Sequence, residues 1–163
     1  MNTPGGHGIE DFSIGMRATF AKTITEADIV LFAGVSGDNN ALHINQEFAE
    51  STQFGGRIAH GMLTASVISA AVANKLPGPG AIYMSHSQIF RAPAKPGDTV
   101  YATVTGIQIM LDKSRVVLET TCRVRGRVVI DGEALVKVGS NRPHAQSTFA
   151  AVIENDRSRT ECA

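Results

Sequence analysis

Residues 60–76 form the longest helical pattern in the chain, and the pattern is apolar on almost every side. Its apolar residues are Met62, Leu63, Ala65, Val67, Ile68, Ala70, Ala71 and Val72. A helix of this kind belongs in a protein interior, because no side of it is polar enough to face water. Pro77-Gly78-Pro79-Gly80 ends the helix. The rest of the chain therefore has to supply elements that cover it.

Strand-like segments precede and follow this helix. Residues 16–24 alternate well enough for a first strand. Four β-rich segments follow the helix, at 81–91, 99–111, 115–125 and 127–138. Arg125-Gly126-Arg127 separates the last two and is typical of a tight hairpin. Because an antiparallel sheet can offer one apolar face to a long helix, the pattern predicts an α+β fold.

A helix start and a polar segment lie between the first strand and the long helix. Thr25-Glu26-Ala27-Asp28 has a capping residue followed by acids, so it predicts a helix that ends at Gly34–Gly37. Asn45 then caps a short helix from Gln46 to Ser51. The turn-prone segment between them holds Asp38 and His43, five residues apart. A carboxylate and an imidazole presented together are suited to binding one water molecule and transferring its protons.

Length, charge and cysteine content narrow the class of protein. The chain has 163 residues, which suits a single domain with a sizeable core. Fifteen basic and fifteen acidic residues cancel, so no global field attracts nucleic acid or an anionic membrane. Cys122 and Cys162 are too few for a disulfide framework, and their spacing fits no metal motif. With no signal-peptide pattern and no apolar run long enough to span a bilayer, the sequence predicts a cytoplasmic protein without nucleic-acid or membrane partners.

The expected organisation is one domain between two polar ends. Residues 1–11 are Gly-rich and predict a flexible arm, residues 12–139 hold every strand and helix pattern, and residues 140–163 have the polar composition of a tail.

The candidate site residues each have a simpler interpretation when taken alone. Asp38 stands between Ser-Gly and Asn-Asn, where an aspartate commonly stabilises a turn, and a single histidine such as His43 is more often structural than catalytic. Asn40 can fix the loop through its amide. His60 is interpreted mainly as a capping or packing residue. A zinc site from the two histidines is not favoured, because no third ligand stands at a recognisable spacing.

Residues 32–49 carry a family resemblance. They read Phe-Ala-Gly-Val-Ser-Gly-Asp-Asn-Asn-Ala-Leu-His-Ile-Asn-Gln-Glu-Phe-Ala. The segment resembles the hydratase-2 signature of the MaoC-like (R)-specific enoyl-CoA hydratases, which runs aromatic, small residue, Ser-Gly-Asp-x-Asn-Pro-aliphatic-His, then Ala after five more residues. Only the proline is missing, and Ala41 stands in its place. The resemblance implies a hot dog fold, a curved antiparallel sheet around a central helix, and assembly as a homodimer.

The resemblance also implies a reaction and a set of site residues. The reaction is reversible hydration of a trans-2-enoyl-CoA to the (R)-3-hydroxyacyl-CoA, as used in fatty acid metabolism or in the supply of polyhydroxyalkanoate precursors. Asp38 and His43 would be catalytic, and the Gly61 amide would bind the thioester carbonyl. Asn40 and Ser69 would support the site. Residues of the long helix, Leu63 and Val72 among them, would line an acyl pocket that accepts four- to eight-carbon chains.

No metal and no organic cofactor is expected, since coenzyme A is part of the substrate and the thioester already activates the alkene. Surface cations are weak candidates for the coenzyme A phosphates, namely Lys75, Arg91, Lys95, Lys113 and Arg115. Three alternatives stay open at this point. They are a 3-hydroxyacyl-carrier-protein dehydratase, an acyl-CoA thioesterase on the same fold, and a non-catalytic acyl-CoA-binding subunit.

Overall fold

Five antiparallel strands form one sheet in the structure, a computed structural model that describes residues 6–141. The strands are β1 Arg17–Thr23, β2 Ile82–Phe90, β3 Thr99–Met110, β4 Arg115–Val124 and β5 Arg127–Lys137. Their order across the sheet is β1-β3-β4-β5-β2, so the first two strands of the chain form its two edges. The predicted strands are confirmed to within two residues at each end.

Four α-helices connect β1 to β2. They are α1 Glu26–Ser36, α2 Ala41–Ile44, α3 Gln46–Glu50 and α4 Gly61–Asn74. The predicted start of α1 is confirmed, because the Thr25 hydroxyl accepts the Asp28 N–H while the Asp28 carboxylate accepts the Thr25 N–H. Gly37 ends α1 in the left-handed conformation, with φ of 77°, where glycine has no steric penalty.

The long apolar helix α4 packs on β1, β3 and β4, and its contact face joins the main hydrophobic core. That face consists of Leu63, Thr64, Ala65, Val67, Ile68, Ala71 and Val72. The opposing strand residues include Val100, Ala102 and Val104 of β3 and Val116 and Leu118 of β4, all fully buried. One side of α4 remains exposed, however, with Met62 at 51%. The helix is therefore the central element that the sequence predicts, with one face left free.

The two hairpin residues Arg125 and Gly126 have positive φ, 49° and 81°. This conformation is the one that the right-handed twist of two paired strands favours in a two-residue turn. Cys122 lies buried on β4 beside this hairpin, and burial raises the pKa of its thiol to about 12. Its role is packing.

Residues 6–11 pack against the domain instead of extending as a loose arm. Ile9 begins a short 3₁₀ helix, is 3% exposed, and donates its N–H to the Gly139 carbonyl at 2.8 Å. An isoleucine side chain in this Gly-rich stretch supplies the apolar surface for that packing. Ser140 and Asn141 bond Glu10 on the same side. The rest of both predicted ends lies outside the described residues, and the domain limits at 12 and 139 stay a prediction.

No helix within residues 6–141 is long and apolar enough to cross a membrane.

Candidate active site

The segment between α1 and α3 shapes the site, and it differs in one respect from the predicted loop. His43 lies on the short helix α2, because the Asn40 side chain accepts the Leu42 N–H at 3.0 Å and caps a helical turn there. Asn45 caps α3 as predicted. Asp38 and Asn40 therefore form a short linker between two helix ends, and α2 fixes the direction of His43.

The Asp38 carboxylate is oriented by its own linker. Its Oδ1 accepts the Asn40 N–H at 3.2 Å, and its backbone N–H donates to the Ser36 hydroxyl at 3.2 Å. The other oxygen, Oδ2, lies 3.9 Å from Nε2 of His43. The side chain of Asp38 is half exposed. The turn bonds expected of an aspartate here therefore coexist with a second oxygen that faces the histidine.

The orientation of His43 identifies its tautomer. Nδ1 lies 2.8 Å from the Ile58 carbonyl, which can only accept, so Nδ1 carries a hydrogen and neutral Nε2 keeps its lone pair. The side chain is 10% exposed. At 3.9 Å, Nε2 and Oδ2 of Asp38 are too far apart to bond each other but can both contact one water. Ile58 is a partner that sequence reasoning misses, since its contribution is a backbone carbonyl.

His60 lies directly against this pair. Its ring stacks on the His43 ring with centroids 3.9 Å apart, and its Nε2 lies 3.0 Å from the backbone carbonyl of Asp38. It occupies the N-cap position of α4 without a capping hydrogen bond from its side chain. Ligand-type atoms of Asp38, His43 and His60 lie within 4.8 Å of one another, a grouping that spacing in the sequence does not reveal. Each imidazole nevertheless commits one nitrogen to a backbone carbonyl.

Gly61 begins α4, and the first N–H groups of a helix have no partner within it. A Cβ at this position would lie 2.8 Å from Cε1 of Phe90, so the backbone is approached closely. Gly61 and His43 line the same cavity of about 310 Å³. The other lining residues include Phe54, Ile58, Thr64, Phe90 and Ile130. The predicted oxyanion donor, Gly61, and the predicted catalytic histidine, His43, thus line one cavity at the start of α4.

A second cavity of about 310 Å³ lies along the free face of α4. It is lined by Phe32, Met62, Ala65, Ser66, Ser69, Tyr83, His86 and Gln88. Ser69 thus stands in the wall of this cavity and not of the one that His43 and Gly61 line, and its role as site support stays a prediction. Leu63 and Val72 lie at the two margins of the buried face of α4, are 6% and 2% exposed, and line neither of these two cavities. Both side chains belong to the hydrophobic core. Their assignment to an acyl pocket stays a prediction.

Arg91 lines the first cavity, and Lys95 bonds Phe54, which also lines it. Arg91 makes two hydrogen bonds to the Asp131 carboxylate, at 2.7 and 3.2 Å, and this pairing raises the pKa of Arg91 while it lowers the pKa of Asp131. Lys95 donates to the Phe54 carbonyl at 2.9 Å. Each cation already has a protein partner.

The fold and the Asp-His site define a class of protein, and comparison with known proteins identifies it. Residues 12–126 match the model of the MaoC like domain. The chain belongs to this family.

Named relatives agree with this assignment. Over 132 residues the chain is 53% identical to an (R)-specific enoyl-CoA hydratase of Rhodospirillum rubrum, covering 81% of this chain and 92% of the relative. A 3-hydroxybutyryl-CoA dehydratase of Methylorubrum extorquens is 46% identical and is covered to 82%, across 79% of this chain. Among solved structures, the unliganded R-hydratase PhaJ1 of Pseudomonas aeruginosa aligns with a TM-score of 0.79 and 39% identity, over 83% of this chain and 88% of that one. The expected hot dog fold is confirmed by these structural neighbours.

Proposed function

We propose that this protein is an (R)-specific enoyl-CoA hydratase, which adds water reversibly to trans-2-enoyl-CoA thioesters. The observation that carries the proposal is the 3.9 Å separation of Asp38 Oδ2 and His43 Nε2. The Ile58 carbonyl keeps the His43 lone pair on the nitrogen that faces the carboxylate. Two proton acceptors at this separation hold one water and direct its oxygen toward a substrate in the adjoining cavity.

The catalytic cycle needs one electrophile and one proton carrier. The Gly61 N–H donates to the thioester oxygen, so negative charge can build there and C3 of the conjugated alkene becomes electrophilic. A preorganised donor of this kind contributes about 3 kcal/mol to the transition state. Asp38 and His43 take a proton from the water as its oxygen bonds C3, and the same pair returns a proton to C2. Atoms and charges balance without a redox partner, so the proposal includes no metal or organic cofactor.

The two cavities accommodate different parts of the substrate. The cavity shared by His43 and Gly61 holds the thioester, with the coenzyme A arm leaving past Arg91. The cavity along the free face of α4 holds the acyl tail, in contact with Ser69. Its volume of about 310 Å³ is at the lower end for ligand pockets, which fits short and medium chains.

Two further parts of the proposal concern assembly and location. β2 is one of the two edge strands and has large apolar side chains exposed, and an open edge of this kind invites pairing with a second copy. We therefore include a homodimer joined through β2. A cytoplasmic location stays a prediction from the sequence.

A 3-hydroxyacyl-carrier-protein dehydratase is the alternative that uses the same chemistry on a different carrier. Two plant mitochondrial relatives carry that name, at 34% and 35% identity. A thioesterase would need a water aimed at the carbonyl carbon. A non-catalytic subunit would have no need of both Asp38 and His43.

One assay with three readouts separates these functions. Purified protein is mixed with crotonyl-CoA, and the enoyl absorbance, the free thiol and the product configuration are followed. A hydratase consumes the enoyl group, releases no thiol, and makes a product oxidised only by an (R)-specific dehydrogenase. The same protein is then given crotonyl-carrier-protein, and a higher kcat/KM on that carrier would favour the dehydratase. Thiol release or an inert mixture would contradict the proposal.

A further inference from the structure

His60 holds three parts of the site at once. Its backbone forms the N-cap of α4, so the next residue is Gly61, whose N–H is the proposed donor to the thioester carbonyl. Its Nε2 hydrogen donates to the backbone carbonyl of Asp38 at 3.0 Å. Its ring stacks on the ring of His43 at 3.9 Å. The residue lies 22 positions from Asp38 in sequence and is 1% exposed.

The hydrogen bond defines the state of the ring. A backbone carbonyl only accepts, so Nε2 carries the hydrogen and the neutral ring has its lone pair on Nδ1. Nδ1 is buried and has no hydrogen-bond partner among residues 6–141. Leaving a buried acceptor unpaired is costly, and an apolar side chain would avoid that cost. The bond to the Asp38 backbone is therefore the contribution that a histidine makes here and an apolar side chain would not.

From this geometry we infer that His60 is a positioning residue for the hydration reaction. It fixes the Asp38 backbone relative to the N-terminus of α4, and so fixes the distance from the water-binding carboxylate to the Gly61 N–H. Asp38 needs a long-range hydrogen bond of this kind because it stands on an exposed linker. The bonds that Asp38 makes to Ser36 and Asn40 are both local. The inference rests on the proposed hydratase activity.

Substitutions can separate the hydrogen bond from the ring stacking. The first variant, His60→Gln, keeps an amide N–H near the position of Nε2 but loses the ring. The second variant, His60→Phe, keeps a stacking ring and loses the donor. A third, His60→Leu, removes both and is smaller than the phenylalanine variant. Val104→Ala, a cavity variant in the buried centre of β3, serves as a control for lost stability alone.

Kinetics of crotonyl-CoA hydration give the first readout. We expect His60→Phe and His60→Leu to lower kcat about tenfold or more, since a small misplacement of a reacting group costs that much, with KM within about twofold of the unaltered protein. His60→Gln should keep most of the activity. Val104→Ala should lower the unfolding temperature and leave kcat unchanged. In the Asp38→Asn background, His60→Phe should cost nothing further, because its effect passes through Asp38.

Hydrogen exchange of the linker gives a readout that does not depend on activity. The amides of Asn40 and Leu42 bond within the linker, to Asp38 Oδ1 and to Asn40 Oδ1. Both should exchange faster in His60→Phe and His60→Leu than in His60→Gln. If the unaltered protein is inactive, the proposed hydratase function is refuted. The difference in exchange rates between the variants would still show whether His60 positions the linker. The positioning role is overturned if exchange is equal in the three variants, if the phenylalanine variant outperforms the glutamine variant, or if the two losses multiply in the double variant.

Discussion

Asn40 donates its backbone N–H to Oδ1 of Asp38 at 3.2 Å, while its own side-chain oxygen accepts the N–H of Leu42 at 3.0 Å. One residue thus orients the carboxylate through its backbone and begins, through its side chain, the helix that carries His43. The proposed catalytic pair is therefore a local unit, assembled within one turn and one short helix. Removing either Asp38 or His43 should therefore eliminate the function of both.

Removing either member of the pair should nearly abolish hydration. Asp38→Asn keeps the shape of the side chain but removes the base, and His43→Ala removes its partner. We expect each single variant to lose about a hundredfold or more in kcat, and the double variant to lose little beyond that, because the two groups act as one unit. Steady-state kinetics with crotonyl-CoA, with circular dichroism as a folding control, measure this. A folded single variant with near-normal turnover would disprove the assigned roles.

Restoring the proline of the family signature should stabilise the protein. Ala41 is the first residue of α2, a position that suits proline, and Asn40 has ψ of 131°, which a following proline accepts. We expect Ala41→Pro to raise the free energy of unfolding by about 0.4–1 kcal/mol, through lower entropy of the unfolded chain, and to preserve kcat. Urea unfolding measures the change.

Leu42→Pro is the matched control for that substitution. The Leu42 N–H donates to the Asn40 side chain, so proline at that position removes the capping bond. It should destabilise the protein by about 1 kcal/mol or more. Equal effects of the two prolines would contradict the assignment of Ala41 as the tolerant position.

Filling the cavity along α4 should shorten the accepted acyl chain. Ser69 stands in the wall of that cavity, and Ser69→Leu replaces a small side chain with a large one. Each methylene that loses its buried place costs about 0.8 kcal/mol, so kcat/KM for C6 and C8 enoyl-CoAs should fall relative to C4. An unchanged C8-to-C4 ratio would show that the tail lies elsewhere. Val72→Phe tests the sequence-based alternative, since a changed ratio there would place the tail on the sheet side of α4.

The capping box of α1 should give stability that depends on pH. Hydrogen bonds from the Thr25 backbone and hydroxyl, with Lys22 nearby, lower the pKa of Asp28 from 3.8 to about 2. A lowered pKa in the folded state stabilises the protein above the unfolded value, and this contribution disappears as the pH falls through the folded value. Asp28→Asn should therefore cost about 1 kcal/mol at pH 6 and about half of that at pH 3. Urea midpoints at the two pH values give the comparison, and equal losses would contradict it.

The free edge at β2 should be a dimer interface. Ile82, Ile89 and Phe90 of this strand are 58%, 52% and 50% exposed, which is unusual for large apolar side chains on an edge strand. We expect sedimentation at micromolar concentration to give twice the 17.2 kDa mass of one chain. Ile89→Arg should shift the protein toward the monomer, whereas Ala21→Arg on the opposite edge strand β1 should not. A fully active monomer would refute the interface.

Sequence patterns predict those parts of the structure that depend on local chemistry. The capping box of α1, the Arg125-Gly126 turn and the strand limits all follow from neighbouring residues, whose preferences act within a few positions. The signature around Asp38 likewise brings its residues together locally. The position of His43 on a short helix escapes prediction because a single turn of helix produces no periodicity.

Long-range contacts cannot be predicted in the same way. Strand order puts β1 and β2 at opposite edges, a result of the whole packing arrangement. The His43–Ile58 and His60–Asp38 bonds join residues 15 and 22 positions apart, and the acceptor in each is a backbone carbonyl, which side-chain identity does not reveal. The assignment of Val72 to the acyl pocket depends on the apolar character of α4, and character alone does not say which apolar face meets the sheet.

The division of α4 into two faces has a consequence for how proteins of this kind diverge. Substitutions at Ser66 and Ser69 alter a cavity wall, while Val67, Ile68 and Ala71 belong to the core. Because the two sets point to opposite sides, their effects on stability and on substrate choice are largely separable. With the acyl tail bound on that face as proposed, selection can change the preferred substrate by single replacements there, and the sheet-facing side preserves the folded state while that happens.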